Sequence, residues 1–179
     1  ERRQYNDKYV KTLFNLGIYN FLTGQDRTFW KVSELNNRPR TKKEAKTIIE
    51  MLQREGEEFL VTGQAWGASW EKLEEELKVK IAEAKQEEKK VYGVELQGDS
   101  EGAINVDHHT YGEDDRSNTK SSIEQVAEIL GVKLTLDEKF VSANDKGYIP
   151  AMEKLGFELG ISSEDLKEII ANIRMRDRQ

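Results

Sequence analysis

The chain has no cysteine, only two prolines and only two histidines in 179 residues. Without cysteine there is no disulfide, no thiolate metal site and no thiol nucleophile, which fits a reducing compartment. No run approaches the ~18 apolar residues of a membrane span, and no charged-then-apolar leader precedes the first helix pattern. The expectation is a soluble, cytoplasmic protein with no membrane partner. Apolar residues are also scarce, at 36% against 35% charged, with a mean hydropathy of −0.78. Such a composition surrounds a modest core with polar helix surface. The net charge of −6 excludes a global basic footprint for nucleic acid, and Arg2-Arg3 and the arginines from Arg174 to Arg178 read as solvated terminal charge. Opening on Glu1 rather than Met, the chain reads as a processed form or a fragment of a longer protein.

What is present is an alternation of helix and strand patterns. Asn6 to Leu22 has one broad apolar face ending at Gly24, and Gln25 to Pro39 reads as a connection with a short strand around Phe29, Trp30 and Val32. Thr41-Lys42-Lys43-Glu44 has capping-box spacing ahead of Ala45, Ile48, Ile49 and Leu52, which marks a helix start; Gly56 stops it. Residues 1–56 therefore form an expected helical N-terminal region, and 57–179 an α/β domain. In the latter, Phe59–Thr62 is a strand, Trp70 to Lys89 a long charged helix capped by Ser69, Val91–Leu96 a strand, and Ala103–Asp107 another. Ser121-Ser122-Ile123-Glu124 opens a helix that Gly131 ends; Asp137–Asn144 is helical, Pro150 suits the first turn of a further helix, and Leu166, Ile169, Ile170 and Ile173 mark the last.

The two histidines are adjacent and follow an acid at the end of the Ala103–Asp107 strand: Asp107-His108-His109. In open α/β sheets the carboxyl edge of the strands is where ligands and catalytic groups collect. Carboxylate oxygens with imidazole nitrogens suit Mn²⁺, Mg²⁺ or Zn²⁺.

Three pieces in order carry a resemblance: Asp107-His108-His109 after a strand, the capped Ser121-Ser122-Ile123-Glu124-Gln125-Val126, then Ala143-Asn144-Asp145-Lys146-Gly147-Tyr148. Together, over about half the chain, they resemble the DHH phosphoesterase superfamily. The resemblance implies a Rossmann-like α/β domain and hydrolysis of phosphoesters or phosphoanhydrides with Mn²⁺ or Mg²⁺, paired metal ions holding both the attacking and leaving oxygens. It implies substrates such as short oligonucleotides, cyclic dinucleotides, polyphosphate or pyrophosphate. By position, Asp107 and Asp145 would be metal ligands, His108 a ligand or phosphate contact, and His109 an orienting group or phosphate contact. With Asp107, His108, His109 and Asp145 as the catalytic set, covalent catalysis has no nucleophile signature to support it.

The chain also departs from the family. The family's first motif puts a histidine and two aspartates just after the first strand. Taking Phe59–Thr62 as that strand, the loop that follows, Gly63-Gln64-Ala65-Trp66-Gly67-Ala68-Ser69, holds no carboxylate. Glu95 is the substitute metal ligand that the sequence offers, although a surface strand residue would look the same. Gly63 and Gly67 could cradle a phosphate by their amides, and Trp66 or Trp70 could stack a base; the sequence favours a plain βα connection with core tryptophans over both. His109 and Asn144 complete the expected substrate contacts. Asn144-Asp145 with Gly147 also fits a helix C-terminus, and Tyr148 either flanks the site or packs under Pro150. The family's glycine-rich substrate motif has no counterpart after Asp145. The leading expectation is a metal-dependent phosphoesterase acting on a nucleotide or short oligonucleotide. The alternative is a degenerate domain that binds a nucleotide, a protein partner or its own copy without hydrolysis. A bare helical interaction module, using the charged Trp70–Lys89 face, is the third reading.

Overall fold

The computed structural model describes residues 28–33, 43–64, 67–100 and 102–176. The helix read at Asn6–Leu22, the Thr41 end of the first capping box, and Trp66 lie outside them. Strand β1 (Thr28–Ser33) is followed by α1 (Lys43–Glu55), β2 (Glu58–Thr62), α2 (Glu75–Gln86), β3 (Lys90–Val94) and β4 (Ile104–Val106). A small hairpin of β5 (Thr110–Tyr111) and β6 (Asp114–Asp115) comes next, then α3 (Ser122–Leu130), α4 (Leu136–Glu158) and α5 (Ser163–Arg176).

The four main strands form one parallel sheet in the order β2-β1-β3-β4. The mixed α/β class with a small parallel sheet is therefore as the sequence indicates. The sheet does not respect the boundary drawn at residue 56. Strand β1 lies at its centre, paired on one side with β2 and on the other with β3, and α1 supplies Ala45, Ile48, Ile49, Met51 and Leu52 to the main core.

Alternation along the strands builds two cores, as period-two side-chain direction requires. Phe59, Tyr92, Val94 and Val106 face α1, α3, α4 and α5. Leu60, Val91 and Leu96 face α2 and Trp70. Helix α2 is shorter than the charged run suggested: Ser69 does not cap it but pairs with Gln97 as an isolated bridge, and the helix begins only at Glu75. The expectation at the other end holds better. Ser121 caps α3 in a reciprocal box with Glu124, and Gly131 closes it at φ 69°. Helix α4 bends at Gly147–Tyr148, so that Pro150 falls in the first turn of its second half. Among the described residues no helix is long and apolar enough to cross a membrane.

Because the chain adds β2 on one side of β1 and then returns to add β3 on the other, connections leave the carboxyl ends of β1 and β3 in opposite directions. The crevice opened there is where such sheets bind ligands. Glu95 directly follows β3, and Asp107 directly follows β4.

Candidate metal centre

Asp107 is held by its own loop. Its Oδ1 accepts from the amides of His108 (2.7 Å) and His109 (3.0 Å), and lies 2.9 Å from His109 Nδ1. Its Oδ2 is buried and accepts no hydrogen bond among the described residues. Burial pushes this carboxyl up, but the hydrogen bonds from the His109 ring and amide, the Tyr111 hydroxyl and the His108 amide outweigh it and hold the group below the usual carboxylate range. A buried carboxylate carrying negative charge favours a nearby cation.

The partners for that cation converge on it. Glu95 sits at φ 57°, a conformation unusual for a side chain of its size, and this turns its carboxylate toward the histidines. Its Oε2 lies 3.2 Å from His109 Nδ1, and its Oε1 3.7 Å from His108 Nδ1. The ligand atoms of Glu95, Asp107, His108 and His109 all lie within 4.8 Å of one another. On the far side of the same imidazole, His108 Nε2 is 2.7 Å from Asp145 Oδ2. Here a second group, Glu44, His108 and Asp145, meets the same 4.8 Å limit. His108 thus belongs to both groups. The two rings stand 4.0 Å apart between centroids, with His109 the more exposed, at 32% against 11%.

Helix α3 braces the cluster with residues of the motif noted in the sequence. The Ser122 hydroxyl donates to Glu95 Oε1 and lies 3.5 Å from His108 Nδ1. The Ile123 amide donates to Glu44 Oε1 at 3.4 Å while its side chain fills the core. Gln125 Nε2 donates to the Asp107 carbonyl at 2.8 Å. The capping box fixes where the helix starts, and that start sets all three contacts. From the hairpin side, Arg116 donates to the carbonyls of Leu96 and Gly98 and stands 6.0 Å from the Tyr111 ring centroid. It fastens the loop after Glu95 to the loop after His109. Burial, reinforced by the Asp107 and Glu95 charges, pushes the Tyr111 phenol up, so it stays neutral.

Asp107, His108, His109, Glu95 and Asp145 are thus brought together, and Glu44 joins them. Glu44 escaped sequence reasoning because its spacing from Thr41 accounted for it as a cap. The signal was its position in the first turn of the helix that follows the first strand. Among the described residues the first strand is β1, not Phe59–Thr62, so the segment that follows the first described strand is 34–42, outside the described residues, rather than the Gly63–Ser69 loop. The phosphate cradle expected there is already filled. Gly63 N–H donates to Glu74 Oε1 at 2.7 Å, Thr62 donates to the same carboxylate, and Gln64 clasps Ser69 through its amide and carbonyl. No helix starts at Ser69 to lend its dipole, and Gly67, at φ 83°, serves the turn. Trp70 is core rather than a base platform: it lies against Gly93, and its indole N–H donates to Asn105. Asn144 is buried, and its side-chain oxygen accepts from Arg174 at 3.4 Å, so it ties α4 to α5 beside the site.

No protein-family model matches this chain, and neither a curated protein nor a solved structure matches it.

Proposed function

We propose that the chain is a divalent-metal-dependent phosphoesterase with a Rossmann-like, DHH-like domain, acting on a nucleotide or short oligonucleotide. The observation that carries this reading is the buried Asp107 carboxylate, grouped with Glu95, His108 and His109 within 4.8 Å at the carboxyl edge of a parallel sheet. Asp107, Glu95 and the imidazoles would hold one cation, and Glu44, His108 and Asp145 a second. Mixed oxygen and nitrogen donors favour Mn²⁺ over Mg²⁺. Such ions, when bound, lower the pKa of water and neutralise phosphoryl charge.

The chain's own residues supply positioning, which is most of what phosphoryl transfer asks of a protein. Asp107 and Glu95 both face His109 Nδ1, and this fixes the ring so that the more exposed imidazole can contact a phosphate oxygen. Tyr111, kept neutral, remains a hydrogen-bond donor at the same edge. Glu44 would add a further carboxylate beside His108 and Asp145.

Calorimetric titration of metal-free protein with Mn²⁺, beside Asp107→Ala, tests the proposal. Saturable binding by the wild type, lost in the variant, is expected, as is Mn²⁺-dependent cleavage of a phosphodiester that Asp107→Asn abolishes without unfolding. Absent Mn²⁺ binding by the wild-type chain, or unchanged cleavage by Asp107→Asn, would overturn it.

A further inference from the structure

Three residues beyond Asp145, the bend of α4 leaves Tyr148 standing out from the molecule, 64% exposed. The bend is not placed where the chain is most permissive. Gly147 has φ −171°, which any residue adopts, whereas Tyr148 takes φ 54°, ψ −142°, a region almost reserved for glycine. The bend leaves the Tyr148 ring on the surface. Strain of this kind gathers at ligand clamps and active sites, held by the structure around it.

The ring is backed on one side. Arg174, from α5, stands 5.7 Å from its centroid and also donates to Asn144 Oδ1. Asn144 immediately precedes Asp145, whose carboxylate faces His108. A connected path therefore runs from the acid–histidine cluster through Asn144 and Arg174 to one flat aromatic face. Tyr148 does not pack under Pro150, and its exposure leaves the ring open to solvent.

We propose that Tyr148, backed by Arg174, is a stacking platform for the nucleobase of a nucleotide whose phosphate reaches the Asp107–His109 cluster. The proposal rests on the phosphoesterase reading and names its substrate class: a base-bearing phosphoester rather than polyphosphate or pyrophosphate. Stacking on an aromatic ring accepts any base, and a cation against the other face adds to it.

The probe is 2-aminopurine riboside 5′-monophosphate, whose fluorescence falls on stacking, titrated with and without Mn²⁺. Wild type and Tyr148→Phe are expected to quench it equally. Tyr148→Gly should lose the quenching, with Kd raised about 5- to 100-fold, while its thermal midpoint stays level or rises because the strain is gone. Equal quenching by Tyr148→Gly would overturn the platform, as would no quenching by wild type. A fall in thermal midpoint accompanying the loss of quenching would overturn it too, since the ring would then be structural. Mn²⁺ calorimetry on the same samples judges the metal reading separately: wild type that quenches the probe but binds no Mn²⁺ would sustain the platform and defeat the phosphoesterase.

Discussion

A Cβ built on Gly93 would lie 2.0 Å from Trp70 Cζ2, closer than any real contact. The indole cannot simply move away, because its N–H is held by Asn105 Oδ1 at 2.8 Å on the neighbouring strand. Glycine here is a matter of space, not of backbone freedom: it lets the tryptophan lie directly on β3, one residue before the strand ends and two before Glu95. Gly93→Ala should lower unfolding free energy by about 1–3 kcal/mol, the usual cost of overpacking, in urea denaturation. A change below about 0.5 kcal/mol, the scale of a neutral surface substitution, would mean the indole has somewhere else to go. The same scale explains the site's electrostatics. Asp107 uses one carboxylate oxygen to hold its own loop and keeps the other buried within the cluster, so one side chain both shapes the loop and offers a ligand atom.

At the level of elements, the site depends on helices set by their ends. Helix α3 starts at a reciprocal cap, and its first residues reach Glu95, Glu44 and Asp107. Helix α4 also starts with a reciprocal cap, Thr135 with Glu138, and there the cap residue has a second task. Arg54, at the end of α1, donates to Glu138 Oε1 at 2.6 Å. Burial pushes the Glu138 carboxyl up, but the hydrogen bonds from Arg54 and Thr135 outweigh it and hold it below the usual glutamate range. A depressed carboxyl contributes stability that is fully present above its unfolded pKa, near 4.5, and lost as pH falls through the lower folded value. Urea unfolding from pH 7 down to pH 3 should therefore show wild type losing stability in that window. With Arg54→Ala, burial acts unopposed by the guanidinium, and the loss on acidification should be smaller. Parallel curves for the two proteins would contradict this account of the α1–α4 link.

Across the whole molecule, one parallel sheet separates two cores and presents its carboxyl edge to the acid–histidine cluster. Residues from α1, the β3–β4 connection, the loop after β4, and α4 meet there, so a bound ion would tie together segments from Glu44 to Asp145. Ligands that bind only the folded state stabilise it by mass action, about 2.7 kcal/mol at a hundredfold excess over Kd. For a chain of this size that is about 5–10 °C in Tm. Adding Mn²⁺ at that excess should raise the thermal midpoint of wild-type protein by this amount, chelation should reverse it, and Asp107→Asn should show little of it. A midpoint indifferent to Mn²⁺ in the wild type would leave the cluster without a role for metal.

Local patterns alone determined a good deal. The α/β alternation, the capped start of α3, its glycine stop, the break before Pro150 and the grouping of Asp107, His108 and His109 at a strand end are all short-range features. They rest on turn chemistry, caps and period, which act within a few residues. The tertiary structure decided what depends on contacts between distant segments. It put β1 at the centre of the sheet, where local pattern showed only a short strand inside a connection, and so made 34–42 rather than Gly63–Ser69 the segment after the first described strand. It turned Glu44 from a cap into a member of the cluster and filled the Gly63 amide with Glu74. Strand order and carboxylate convergence are long-range pairings, and no local pattern of residues encodes which distant partner a strand or a side chain will find.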